Sequence, residues 1–311
     1  MPLPSPDAFA DALLLSGPTA SGKTAVALEM ADRLGAEIVS VDAITVYRGL
    51  DIGSAKPTPA EQARVRHHLI DVLWPWEAGS VAAWLERAAI ACADIRARGR
   101  RILVVGGTPL YLKAMLRGLF AGPTADRDLR AQLEALPLGE LQVKLAAVDP
   151  RAVDRIAAAD RKRLVRALEV WELTGRPISD WQQQFDQPRP RTRPGFWLDW
   201  PRSDLHDRIN RRVETMFAAG LVDECRRLVE LDRPLAREVK QAAGYAEALA
   251  HLRGELTLAE AVTQTQTRTR QLAKRQITWL RHLVELQPLP VQTGDTPAAL
   301  ADRLLAQWQL A

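Results

Sequence analysis

Apolar positions fall into two rhythms along the chain. In the first third, short uninterrupted apolar runs alternate with stretches of helical spacing. DALLLS (11–16), AEIVSV (36–41), HHLIDVL (67–73) and RILVV (101–105) read as strands buried on both faces. Between them, 25–34 and 82–95 repeat apolar residues at helical spacing, and Ser80 stands where a helix needs its N-cap. A further helix is predicted over 110–116. Strands alternating with helices imply a parallel sheet covered on both sides. From about Gly118 to Pro194 the rhythm becomes helical throughout, with Leu129, Leu133 and Leu136 on one face and Leu164, Leu168 and Trp171 on another. Pro188, Pro190 and Pro194 then forbid regular structure. Phe196–Trp200 (FWLDW) returns to strand, followed by helices over 204–218, 221–231, 245–252 and 259–285. The pattern predicts one α/β core made of 1–117 and 195–311, whose C-terminal region is helical, with an all-helical insertion at 118–194.

Composition narrows the classes. At 311 residues, 47% apolar and 26% charged, the chain is a folded globular protein and not a disordered one. No run approaches the roughly 18 apolar residues of a membrane span, and no basic segment precedes the apolar stretch 8–15, so a cytoplasmic protein without a membrane partner is expected. A monomer is expected as well. Cys92 and Cys225 lie too far apart to suggest a disulfide framework or a zinc pair and read as buried thiols. The net charge is only +4, but all except seven of the 42 basic residues are arginines, which suit phosphate and base contacts or reflect genome base content.

Gly17-Pro18-Thr19-Ala20-Ser21-Gly22-Lys23-Thr24 matches G-x-x-x-x-G-K-[ST], with a strand before it and a helix after it. That context makes a P-loop NTPase-like core. Backbone N–H groups turn inward on phosphate oxygens, Lys23 adds a point charge and Thr24 can hold Mg²⁺. The ordinary reading is nucleotide binding, as in an ATP-dependent kinase acting on a small molecule or nucleotide. Such an enzyme needs an acid at the end of an apolar strand. RILVV ends instead in Gly106-Gly107-Thr108; Asp71 is a weak candidate acid, and Asp42 directly follows the second strand. In an open parallel sheet Asp42 and the Gly106–Thr108 loop share the carboxyl edge with the phosphate loop. One cleft then holds a pyrophosphate site, a carboxylate that serves as base or helix cap, and a hydroxyl. His67 and His68 are strand neighbours pointing to opposite faces, so they read as structural rather than as a metal pair.

The run from Ser40-Val41-Asp42-Ala43-Ile44-Thr45 through Asp51-Ile52-Gly53-Ser54-Ala55-Lys56-Pro57 resembles a long signature of the tRNA dimethylallyltransferases. Val104-Val105-Gly106-Gly107-Thr108-Pro109-Leu110-Tyr111 and Arg270-Gln271-Leu272-Ala273-Lys274-Arg275-Gln276-Ile277-Thr278-Trp279-Leu280-Arg281 are similar to two more of their blocks. Shorter echoes lie at 163–170 and 241–245. The resemblance implies transfer of a dimethylallyl group from dimethylallyl diphosphate to N6 of the adenosine 3′ of the anticodon (tRNA position 37), in tRNAs reading U-initial codons. It implies that Gly17, Thr19, Ala20, Ser21, Gly22, Lys23 and Thr24 hold the donor diphosphate with Mg²⁺. It further implies Asp42, Thr108 and Lys23 as catalytic residues, with Asp42, Ala43, Ile44, Thr45 and Thr108 beside the adenosine. Arg130, Arg166, Gln241, Arg270, Lys274, Arg275 and Arg281 fall where the family meets the anticodon stem-loop. Arg270, Lys274 and Arg281 recur at spacings of four and seven, and Arg268 and Arg275 at seven, which also fits a solvated helical face. Trp279 reads equally as core or as a stacking platform, and Arg163 and Arg166 equally as partners of Glu169. Lys240 and Ala246 depart from the family's usual apolar and basic residues. Residues 240–281 distinguish this reading from enzymes that prenylate free adenine nucleotides, which need no clamp on a stem-loop. Lys23, Thr24 and Asp42 together speak against a non-catalytic RNA-binding protein.

Overall fold

The apolar runs at 13–16, 36–41, 102–105 and 195–198 form the inner strands of the sheet and are buried on both faces. In the computed structural model, which describes residues 3–120, 122–182 and 187–310, β1 (Leu13–Ser16) and β2 (Ala36–Val41) are buried at every position. β3 (His67–His68), β4 (Arg101–Gly106), β5 (Gly195–Asp199) and β6 (Leu286–Pro290) complete a parallel sheet in the order β3-β2-β4-β1-β5-β6. Burying runs of Leu, Ile and Val is worth about 1.5–3 kcal/mol per side chain, which outweighs their indifference to strand or helix.

Two strands differ from the sequence expectation. HHLIDVL keeps only its first two residues in the ladder, because Leu69 and Asp71 adopt left-handed φ angles of +64° and +56° and turn the chain out of the pleat. Pairing resumes there only as an isolated bridge between Tyr47 and Leu73. β6 is not among the elements expected from sequence, and it contains Pro288 and Pro290. At the sheet's edge a missing N–H costs little, and Leu286 and Leu289 are buried.

In the first half, α1 (Lys23–Leu34), α2 (Pro59–Arg64), α3 (Val81–Ala97) and α4 (Pro109–Arg117) connect the strands. Ser80 caps α3 by accepting from the Ala83 N–H, as its position predicts. Between the two halves lie α5 (Arg127–Ala135), α6 (Leu138–Val148), α7 (Pro150–Arg155), α8 (Arg161–Thr174) and α9 (Ile178–Trp181). The last part carries α10 (Arg202–Ala218), α11 (Leu221–Val229), α12 (Arg237–Gln241), α13 (Tyr245–Leu252), α14 (Leu258–His282) and α15 (Pro297–Gln307). α1 and α15 cover one face of the sheet, where Met30, Leu103, Phe196, Leu304 and Trp308 share a core. Thr257 starts α14 with a reciprocal capping box to Glu260.

The chain separates into two compact units: Arg117–Pro188 with the extreme N-terminus, and Pro4–Leu116 with Arg189–Ala311. The smaller has its own core of Leu141, Leu145, Leu164, Leu168 and Val170, with Leu133 buried against it and Leu129 and Leu136 partly so. Within that unit the carboxylate of Glu169 is completely buried and accepts from Arg130 Nε (2.8 Å) and Nη2 (2.9 Å), the Asp126 N–H (2.8 Å) and Arg166. Burial opposes the charge, yet the guanidiniums hold Glu169 below its ordinary pKa. Arg163 pairs with Asp160 instead.

In the larger unit, β2, β4 and β1 meet at Val41, Gly106 and Ser16, which are in register. A Cβ on Gly106 would lie 2.1 Å from the Val41 carbonyl oxygen. Gly106→Ala is therefore expected to destabilise the larger unit by about 3 kcal/mol, read as a lowered midpoint in urea. A midpoint equal to the parent's would show that the strand has room to shift.

Candidate active site

The phosphate loop is built by backbone conformation first. Ala20 and Gly22 take left-handed φ angles of +63° and +86°, which turn successive peptide groups inward just before α1 begins at Lys23. The loop is braced. The Trp200 indole donates to Ser21 O at 2.8 Å, Arg208 Nε to Ala20 O at 2.8 Å, and the Thr19 N–H to Gln276 Oε1 at 2.9 Å. The Ser21 hydroxyl is buried without a hydrogen-bond partner among the described residues.

Asp42 directly follows β2 and Thr108 follows β4, so the adjacency of those strands sets them side by side. Asp42 Oδ1 accepts from the N–H groups of Ile44 (2.8 Å) and Thr45 (3.2 Å), which fixes the carboxylate. Its Oδ2 has no partner among the described residues. The Thr108 hydroxyl accepts from the Ala43 N–H at 3.1 Å, leaving its own proton to donate elsewhere. Asp42 thus caps its loop with one oxygen and leaves the other unpaired among the described residues.

A cavity of about 470 Å³ opens over Asp42, lined by Thr19, Lys23, Thr24, Asp42, Ala43, Ile44, Thr45, Arg212, Gln241, Arg268, Arg275 and Gln276 but not by Thr108. A second hollow over Ala20, Gly22, Arg208 and Arg211 shares Lys23, Thr24 and Arg212 with the first. Lys23 therefore sits where two openings meet. Desolvation pushes its ammonium down to about 8 against the pull of Asp42, with Arg212 adding repulsion. Desolvation likewise lowers Arg212, opposed by Asp42, and the Arg212 guanidinium has no hydrogen-bond partner among the described residues. Two cations with little solvent face one carboxylate, an arrangement that a bound anion of two or more charges would relieve.

Gln241, Arg275 and His67 are among the residues lining this cavity, and Arg270, Lys274, Trp279 and Arg281 are not. Arg270 bonds Asn210 and Thr267, and Arg281 is exposed. Lys274 and Arg275 line a shallow groove with Gln271, Thr278 and Trp279. Trp279 is half-buried there, with the Lys113 ammonium 5.8 Å from its ring centre. Arg130 and Arg166 belong to the smaller unit, each bonded to Glu169. His67 Nδ1 meets Val65 O at 2.7 Å and His68 Nε2 meets Glu37 at 2.6 Å, and the described residues contain no cluster of three acidic, His or Cys side chains suited to a metal. Cys92 and Cys225 are buried and unpaired, and burial pushes both thiols up to about 12.

Arg208, Arg212 and Gln276 were not singled out from sequence. For the two arginines a signal existed: they precede Ile209 and Val213 in a helix whose apolar residues Leu205, Ile209 and Val213 recur every fourth position. For Gln276 there was none, since one amide on a long basic helix looks like solvated surface.

The loop after Asp42 is held from a distance. The buried Glu224 carboxylate accepts from the N–H groups of Asp51 (3.0 Å), Ile52 (2.8 Å) and Gly53 (3.2 Å), and from the Tyr245 hydroxyl (2.7 Å). Gly53 lies under the Tyr245 ring, where a Cβ would come within 2.6 Å.

The IPP transferase family pattern matches residues 45–283. The tRNA dimethylallyltransferase of Rhodopirellula baltica is 45% identical over 93% of this chain and 90% of its own length. That of Anaeromyxobacter dehalogenans is 47% identical over 94% and 98%. Among solved structures, the full-length tRNA isopentenylpyrophosphate transferase of Bacillus halodurans superposes with a TM-score of 0.70 at 35% identity, covering 96% of this chain and 97% of that one. A eukaryotic dimethylallyltransferase acting on tRNA shares the fold, with a TM-score of 0.79 at 23% identity over 95% and 77%.

The depressed Lys23 pKa gives a pH signature. A diphosphate monoester has shed its last proton well before pH 8, and binding it raises the Lys23 pKa. Affinity is therefore full below about 8 and falls as pH rises through that value. Titration calorimetry of such an ester from pH 7 to 9.5 should show the fall, and Lys23→Met should bind weakly with a flat profile. A flat parent profile would remove Lys23 from the anion site.

Proposed function

The chain belongs to the IPP transferase family, and on that premise we propose that its cleft moves a dimethylallyl group from dimethylallyl diphosphate to N6 of the adenosine 3′ of the anticodon in tRNAs reading U-initial codons. The observation that carries this reading is the cavity itself, where Lys23 and Arg212 face the free oxygen of Asp42. Desolvated cations favour a departing diphosphate. A carboxylate oxygen without a partner favours taking a proton.

An adenine N6 is a weak nucleophile because its lone pair is delocalised into the ring. The allylic carbon compensates by developing positive charge as its bond to oxygen lengthens. The N6 lone pair forms the new C–N bond, the C–O electron pair leaves with diphosphate, and the N6 proton passes to Asp42 Oδ2. Lys23, Arg212 and the N–H groups of the loop other than that of Thr19, which is bonded to Gln276, stabilise the leaving group. Fixing Oδ1 on the Ile44 and Thr45 N–H groups aims Oδ2. The Thr108 hydroxyl, already an acceptor from Ala43, donates toward the base. Mg²⁺ suits a site offering one threonine hydroxyl and no carboxylate cluster, because that ion keeps most of its waters. Thr24 would hold it beside the diphosphate, where it would neutralise charge on the leaving group.

The acceptor enters as RNA. Gln241, Arg268 and Arg275 line the cavity wall, and the target base leaves its stack to reach Asp42 at a cost of a few kcal/mol. Lys274 and Trp279 extend the same helix outward as further RNA contacts. Arg130 spends Nε and Nη2 on Glu169 and keeps Nη1 for a phosphate. Among the described residues no helix is long and apolar enough to cross a membrane; the compartment proposed is the cytoplasm, where tRNA is.

Asp42→Ala is expected to lose about 10²–10⁴-fold in turnover while binding unmodified tRNA as tightly as the parent. The assay is label transfer from dimethylallyl diphosphate to RNA, mapped to its nucleoside by digestion, with labelled ATP in a parallel tube. A variant keeping more than about a tenth of the activity would take Asp42 out of the base role. ATP consumed without prenyl transfer would replace the reading with a kinase.

A further inference from the structure

Gln276 is a buried polar side chain that the chemistry above leaves unused. It lies on α14, one residue after Arg275, which lines the cavity, and three before Trp279 in the outer groove. Its carbonyl oxygen accepts the Thr19 N–H at 2.9 Å, and its amide nitrogen donates to Gly107 O at 2.8 Å. The partners fix the orientation of the carboxamide, since one is only a donor and the other only an acceptor. Thr19 belongs to the loop after β1 and Gly107 to the loop after β4, adjacent strands of the sheet. The fit is tight: a Cβ on Gly107 would lie 2.6 Å from Gly17 O, 3.1 Å from Gln276 Nε2 and 3.6 Å from Lys23 Nζ.

This geometry fixes the phosphate loop at the wall of the cavity, which Thr19 and Gln276 both line. The Thr19 N–H points at α14 rather than into the anion hollow, so the shape of the loop depends on where α14 stands. The other faces of α14 carry Arg268, Arg275 and Trp279. We propose that Gln276 is a positioning residue that ties the helix meeting the RNA to the loop holding the diphosphate, so that the two ligands strengthen each other's binding. The proposal rests on the reading of α14 as the RNA side and of the loop as the diphosphate side. Its physical content is linkage: a group bonded to both loops transmits a shift of either, and the coupling is equal in both directions. A residue that only filled space would leave the coupling unchanged when replaced by an apolar side chain of the same length.

Gln276→Met keeps length and volume and removes both hydrogen bonds. The probe is inorganic pyrophosphate, whose dissociation constant is measured with and without a saturating unmodified anticodon stem-loop, a pair that undergoes no reaction. In the parent the stem-loop is expected to tighten pyrophosphate about tenfold, within the usual range of such couplings. In Gln276→Met the ratio is expected to fall to about one, with stem-loop affinity alone and thermal midpoint close to the parent's. A variant that keeps the parental ratio overturns the proposal, as does a parent without coupling. Should the variant fail to fold, amide exchange at Thr19 in the parent decides: the stem-loop should slow it several-fold, and an unchanged rate overturns the proposal. Prenyl transfer by the same parent preparation separates the two readings. Transfer without coupling defeats only the role of Gln276, and absence of transfer defeats the proposed reaction and this inference with it.

Discussion

The cleft depends on one register. Ser16, Gly106 and Val41 are paired across β1, β4 and β2, and the Ser16 hydroxyl seals the line by donating to Gly106 O at 2.7 Å. Because all three strands run parallel, their following loops leave the sheet together: the phosphate loop, the Gly107–Thr108 turn and the Asp42 turn. No long-range device is needed to bring a glycine-rich loop, a hydroxyl and a carboxylate into one place. The constraint also explains the glycine at the centre of the line, where a side chain would collide with the neighbouring backbone. A slip of one residue would turn every buried side chain of the strand to the opposite face.

Charge then organises what the register assembles. Lys23 and Arg212 are desolvated cations, and Asp42 supplies only one counter-charge with one free oxygen. Such a site is costly without ligand and well matched to a multiply charged anion that leaves during reaction. Away from the cleft, charge is spent differently. Glu169 is enclosed by two guanidiniums and a backbone N–H, and Glu37 is pulled down to about 2, first by its hydrogen bond from Arg98 and then by His68. Those groups are neutralised by their neighbours and need no ligand.

Much of this was legible in the sequence, for physical reasons. The strand–loop–helix at 11–34 announces itself because backbone conformation, not a distant partner, makes the cradle. Asp42 is legible because a residue that directly follows a buried strand must lie at the sheet's edge. What escaped depends on contacts between remote segments. Gln276 is 257 positions from Thr19, and nothing local distinguishes it from its neighbours on a basic helix. β6 escaped because its prolines are acceptable only at an edge, which a linear reading does not locate. The seven-residue strand expected at 67–73 shrank to two because Leu69 and Asp71 adopt a backbone state that their side chains do not advertise.

The Glu224 carboxylate that holds the backbone of Asp51–Gly53 lies 171–173 positions downstream of it. Chains are made from the N-terminus at a finite rate and fold as they emerge. The first half therefore leaves the ribosome with the segment after Asp42 lacking its anchor, while β1 waits for β5 to complete its flank. The cleft is consequently the last part of the larger unit to be completed, since its loop takes its final backbone support from a segment made more than a hundred residues later.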